Sequence, residues 1–156
     1  MAERVADYPR PPALVSSNAV IEVTALGVLI CSTRSSLRVL ETFHPPTYYL
    51  PPDDSVRRDL LVPGRGRSFC EWKGIASYWD LVVGEQRLVG AIWSYEAPTE
   101  RFADLAGWFA LYPGRMDRCQ VNGDDVQPQQ GGFYGGWITP DLIGPFKGDP
   151  AHPELI

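Results

Sequence analysis

Ten consecutive residues, Cys70-Glu71-Trp72-Lys73-Gly74-Ile75-Ala76-Ser77-Tyr78-Trp79, hold a thiol, a carboxylate, an amine and three large aromatic rings. A thiol activated by a nearby base attacks carbonyls or sulfoxides. Cys70 is therefore a candidate nucleophile, with His44 as its base and Glu41 to orient the imidazole. Lys73 stands between Trp72 and Gly74, where it offers a point charge to a carboxylate or phosphate and where partial desolvation would lower its pKa. Tyr and Trp carry a polar handle on an apolar body, which suits a concave site for a flat or polar small molecule. Tyr48, Tyr49, Trp72, Tyr78, Trp79 and Trp93 are expected to line such a cleft, with Cys70, Lys73 and His44 at its rim. Ring faces arranged in this way also attract cations.

Each of these residues has a competing structural account. Most free cysteines are buried and inert, and Cys31 and Cys119, in apolar strand contexts, are expected to be packing. A lysine at a strand end can reach solvent with its head, and Gly74 fits an ordinary bulge as well as a close approach to a ligand. Alternation along a strand sends Tyr78 and Trp79 to opposite faces, so the aromatic set, which also includes Tyr95 and Trp108, cannot all face one way. Roughly half of it is expected to fill the core.

The elements that must position these groups follow from turn and propensity signals. Residues 20–24 and 28–33 are β-branched runs flanking Leu26-Gly27, a hairpin signal. Residues 37–41 alternate apolar and polar. Two Pro-Pro pairs, Pro45-Pro46 and Pro51-Pro52, bracket Tyr48-Tyr49; proline fixes φ and removes a donor, so the tyrosines sit on a stiff frame outside any central ladder. Asp53-Asp54 is expected to cap a single helical turn through Arg58, and Pro63-Gly64-Arg65-Gly66 reads as a loop. Strands are expected over 68–72, 76–83 and 88–93, with residues 84–86 as the turn between the last two. Thr99 as cap and Gly107 as stop frame a short helix. A further strand is expected at 108–112, and 118–121 leads into the Asn122-Gly123 turn.

One domain suits a chain of 156 residues, which is long enough to bury a core without staples. Fifteen Gly and fifteen Pro point to many turns and short elements, hence to β structure. Residues 1–18, with Pro9, Pro11 and Pro12, read as an N-terminal arm; 19–126 as the folded domain; and 127–156 as a Gly/Pro-rich extension, either a loose tail or one that lays its aromatics over the sheet or over a second copy of the chain. A net charge of −5 argues against a nucleic-acid footprint, and the arginines at 57, 58, 65 and 67 suit a solvated loop. No apolar stretch is long enough to cross a bilayer. Three separated cysteines without a Cys-x-x-Cys pair and without a secretory signal suggest a reduced, cytoplasmic protein. Neither a phosphate loop nor a dinucleotide fingerprint is present, and the two histidines are too far apart for a histidine metal centre, so no cofactor and no metal are expected. His152 is expected to sit in a floppy end.

As an ordered set, Leu40-Glu41-Thr42 before the Pro-Pro-Thr-Tyr-Tyr run, the 70–79 segment, Ala91-Ile92-Trp93-Ser94-Tyr95 with Pro98, and the run to Gly107 resemble the domain of unknown function 427 family over residues 19–126. Gly135-Gly136-Trp137-Ile138-Thr139-Pro140-Asp141 resembles an extension found in some members, and Glu71 stands where members often have Pro. The resemblance implies a compact, mainly-β domain of the β-tent type: two antiparallel sheets pinned along one side and open at the other, with one or two short helices. Domains of that architecture use the opening for small ligands, and many carry a zinc held by two Cys-x-x-Cys pairs, which this chain lacks. The nucleotidyltransferase label the family has carried would need carboxylates converging on divalent cations, whereas Asp53-Asp54 and Asp124-Asp125 are adjacent and diverge on a strand. Three functions are open: a domain binding a small polar or planar molecule in the aromatic cleft, an enzyme using Cys70 with His44 as base, and an interaction module working through the Trp137 tail, a second copy being a candidate partner.

Overall fold

In the computed structural model, which describes residues 2–155, the chain is mainly β. Among the described residues, three antiparallel sheets of three or four strands carry the architecture. The largest is a meander of Leu61–Cys70, Gly74–Val83 and Gln86–Ser94, extended by Phe109–Leu111. The second sets Ile21–Ala25 between Val28–Thr33 and Arg118–Val121, with Asp124–Asp125 at the edge. The third runs Ala13–Ser17, Ser36–Leu40, Thr47–Tyr49. The expected hairpin turns close as two-residue loops: Leu26-Gly27 between paired Ala25 and Val28, Asn122-Gly123 between Val121 and Asp124, and Gly84-Glu85 between Val83 and Gln86, the last one residue shorter than expected because Gln86 already pairs in the strand. Thr47–Tyr49 lies at a sheet edge, where flanking prolines are tolerated. Leu50 then bridges to Phe109, joining the third sheet to the first.

Two apolar clusters lie on opposite faces of these strands. Ile21, Val23, Ile30, Leu50, Leu81 and Ile92 belong to the larger one; Val39, Tyr49, Ala76, Trp93, Phe102 and Leu105 to the other. Adjacent residues separate between them because the pleat alternates: Tyr48 joins the first and Tyr49 the second, and Ile92 and Trp93 divide in the same way.

Several local expectations need correction. The N-terminal segment is not a free arm: Ala13–Ser17 pairs along its length with Ser36–Leu40, and Val5 is fully buried beside Tyr8 and Leu40. Arg38 reaches Glu3 at 3.0 Å, which ties this segment down. Pro63-Gly64-Arg65-Gly66 is not a loop but the irregular part of a ten-residue edge strand, where the register shifts between Pro63 and Arg67. A bulge absorbs the proline and glycines without ending the strand. The helix after Pro98 is a 3-10 run, Glu100–Leu105, and Thr99 makes no side-chain cap there. Asp53 closes a turn onto the Ser55 N–H (2.9 Å) and hydroxyl (2.6 Å), and the helical turn begins only at Arg58.

The extension is built into the fold. Trp137 is fully buried, its ring 4.9 Å from that of Tyr48, and its backbone N–H donates to the Pro46 carbonyl at 2.8 Å. Leu142–Ile143 pairs with Glu3–Arg4, so the two ends of the chain meet. His152 sits in a turn, with its N–H on the Asp149 carbonyl and its Nδ1 3.0 Å from Glu154. Among the described residues, no helix is long and apolar enough to cross a membrane.

Candidate functional site

A cleft of about 270 Å³ opens over the second apolar cluster. Strand register decides which side chains reach it. Tyr78 and Trp93 are cross-strand partners on the cleft face, whereas their neighbours Trp79 and Ile92 pair on the opposite face. Tyr49 lies on the floor, and its hydroxyl accepts from Trp93 Nε1 at 3.4 Å. Tyr78 donates to Ser68 Oγ at 2.7 Å.

Cys70 and Gly74 are the last paired residues of a hairpin whose loop is Glu71-Trp72-Lys73. Thr99 staples that loop: its hydroxyl donates to the Trp72 carbonyl at 2.5 Å and its N–H to the Lys73 carbonyl at 3.0 Å. The hydroxyl expected to cap a helix is thus spent on fixing the loop. Gly74, at φ 107°, takes a backbone conformation closed to most residues, and the reversal brings Lys73 over the sheet. The Lys73 ammonium lies 5.8 Å from the Tyr95 ring centroid and 5.9 Å from that of Phe102. Burial pulls its pKa down, but Tyr49, Cys70 and Glu41 outweigh it, so the pKa stands above the ordinary lysine value. This reverses the direction expected from desolvation alone, and the side chain is a charged ammonium rather than a neutral amine.

The Gln129 side chain from the extension holds His44. Gln129 Oε1 accepts from the Gly136 N–H at 3.2 Å, which turns its amide nitrogen toward the Lys147 carbonyl (2.6 Å) and His44 Nδ1 (3.2 Å). In this network, an orientation assigned from its hydrogen bonds, Nδ1 accepts and the imidazole proton sits on Nε2. Burial lowers the His44 pKa; Glu41 opposes this, while Lys147 and Arg10 add to it, leaving a neutral ring near pH 7. Among the described residues no hydrogen bond joins His44 to Cys70.

Residues from the extension roof the cleft. Tyr134 meets His44 edge to face at 5.3 Å, Lys147 Nζ lies 5.9 Å from the Tyr134 ring, and Phe133 is exposed at the mouth. Gly135 passes so close to Trp93 that no Cβ fits between them. Tyr112 closes one wall, its ring 4.7 Å from Trp93; burial, and then Tyr78 beside it, push its hydroxyl up to about 12.

Of the residues expected at the site, Cys70, His44, Lys73, Tyr49, Trp72, Tyr78 and Trp93 converge on the cleft. Tyr48 and Trp79 do not. Tyr48 packs on Trp137, and Trp79 stacks edge to face on Phe109 at 5.9 Å, with its Nε1 on Ser94 Oγ at 2.9 Å. Both face the larger core because each is one residue out of phase with its cleft-lining neighbour. Cys31 and Cys119 are buried, and burial pushes both thiols up to about 12, in keeping with packing roles. Residues not foreseen at the cleft include Tyr112, Gln129, Tyr134 and Lys147. The aromatic pair Phe133-Tyr134 in a Gly-rich stretch was the available signal for the last three. Among the described residues, no group of three or more His, Cys, Asp or Glu side chains is placed to hold a metal ion.

The family described as "Domain of unknown function (DUF427)" matches residues 13–122, more than half of the chain, and the protein belongs to that family. No curated protein matches the chain. The matched span covers the three sheets apart from the edge strand Asp124–Asp125, and the Cys70–Lys73 wall of the cleft, while the Gln129 and Tyr134 roof lies beyond it.

Proposed function

We propose that this member of the family binds a small polar or planar molecule in the aromatic cleft and that binding, rather than covalent chemistry at Cys70, is the activity the site supports best. The observation that carries this reading is the meeting, in one hollow, of Tyr49, Cys70, Trp72, Tyr78 and Trp93 with His44 and the roof residue Tyr134. A concave, largely aromatic surface with a few convergent polar groups is the usual form of a small-molecule site. Rigid rings also lose little conformational freedom on binding.

The covalent reading lacks a base for the thiol, because Lys73 beside Cys70 is a charged ammonium. His44 spends its lone pair on Gln129 and presents an N–H, so it is set up to donate to a ligand rather than to take a proton from Cys70. Cys70→Ser separates the two: ligand affinity is retained if the site binds, and turnover is lost if the thiol is a nucleophile. A reducing, cytoplasmic setting suits three free thiols.

The direct test is a fragment screen read by the indole N–H resonances of the native protein. Planar ligands of the cleft shift the signals of Trp72 and Trp93 and leave buried Trp137 unmoved. Hits that cluster away from Trp72 and Trp93, or a library without hits, would remove the reading. Native mass spectrometry of gently purified protein gives a second readout, a co-purifying small mass.

A further inference from the structure

We propose that the ligand of the cleft carries an anionic oxygen group, a carboxylate or phosphate on a planar body, seated on the Lys73 ammonium. This deepens the binding function proposed above and rests on it. Lys73 is half-buried in the cleft wall, and among the described residues it forms no ion pair. Its approach to the Tyr95 and Phe102 rings orients the cation but leaves its three N–H donors without a charged acceptor. A desolvated ammonium held by a stapled loop is preorganised for an anion, since its ordering is already achieved before the ligand arrives.

The rest of the cleft points the same way. Tyr78 has committed its proton to Ser68, and the Tyr49 oxygen takes the Trp93 N–H. His44 presents an N–H, and Lys147 adds a second cation on the roof side. Two carboxylates also border the cleft, but Glu41 is paired with Arg10 at 3.5 Å and Glu71 is exposed at the rim. The hydrogen-bonding capacity still free inside is therefore mainly donor, which favours a ligand rich in acceptors. Trp72 and Trp93 supply the apolar faces that a planar body needs.

The test compares matched probes on the native protein: benzoate with benzamide, indole-3-carboxylate with indole-3-carboxamide, and phenyl phosphate with phenol, each titrated while the Trp72 and Trp93 indole signals are followed. The acids are expected to bind about tenfold or more tighter than their neutral partners. Lys73→Met is expected to erase that difference while leaving the weak affinity of the neutral probes. The comparison on unaltered protein needs no variant, so a poorly folding Lys73→Met does not stall it. Whether the carboxylates or the phosphate gain more separates the two anion chemistries. Neutral probes binding in the cleft as tightly as the acids would overturn the anion assignment and leave the binding function standing. Failure of every probe to move Trp72 or Trp93 would remove both.

Discussion

At the scale of single residues, the pleat decides between neighbours. Tyr48 and Tyr49, or Tyr78 and Trp79, are chemically alike on paper, yet one of each pair lines the cleft and the other packs the core. Trp72→Ala should weaken a planar probe such as indole-3-carboxylate by about three- to tenfold, the worth of one aromatic contact, by isothermal titration. Trp79→Phe should leave that affinity within about twofold and lower only the melting temperature. His44 gives a pH signature. Its folded-state pKa lies below the ordinary value because of burial, so the unfolded chain takes up its proton first. The associated stability is complete above about pH 6.5 and is lost as pH falls through the lowered folded-state pKa. Thermal melts between pH 7.5 and 5 should show this loss, and His44→Gln should flatten it. Asp80, held low mainly by the Gly90 N–H, acts only in the more acidic range below about 4.

At the scale of elements, the extension has the most to explain. Its composition reads either as a loose tail or as a segment that lays its aromatics over the sheet or over a second copy, because Gly, Pro and Gln cannot build a core of their own. It is ordered by lying on a core built by others: Trp137 fills a space beside Tyr48, and Gly135 and Gly136 fit where a side chain would not. A Cβ at Gly136 would stand 2.5 Å from both Gln129 Oε1 and Pro45 Cγ. Gly136→Ala should cost about 1–3 kcal/mol in urea unfolding and should also disturb the Gln129 contact with His44. Trp137→Ala should cost about 3–5 kcal/mol. Trp137→Phe should cost less than about 1.5 kcal/mol, because the buried indole N–H has no partner to lose. The hairpins were legible because Leu26-Gly27, Gly84-Glu85 and Asn122-Gly123 carry their turn chemistry locally. The strand Ala13–Ser17 was not, since its edge depends on a partner roughly twenty or more residues away. The bulged strand through Pro63 was hidden for the same reason: pairing with Gly74–Val83 overrides the local breakers.

At the scale of the whole molecule, the ends of the chain close the structure. Glu3–Arg4 pairs with Leu142–Ile143, and Gln127–Pro128 pairs with Trp137–Ile138. A chain ending at Gln127 loses both pairings, the Trp137 plug and the roof of the cleft. Its melting temperature should fall by roughly 10 °C or more, given about 2–4 °C per kcal/mol at this size. If the truncated chain melted like the full one, the extension would have no part in stability. Light scattering on the two chains separates this from a role in self-association, which would change the mass as well.

Residue chemistry and short-range turn signals were enough to establish a mainly-β domain and most of the groups that meet at Cys70 and Lys73, because hairpin turns, strand alternation and ring clustering are properties of neighbouring residues; the family rests on the resemblance of its ordered motifs. Which face each ring takes, that Lys73 stays charged without a carboxylate in ion-pair contact, and that residues 129–147 roof the cleft arise from pairings between distant segments. Their energies exist only once the chain has closed, so no local pattern encodes them.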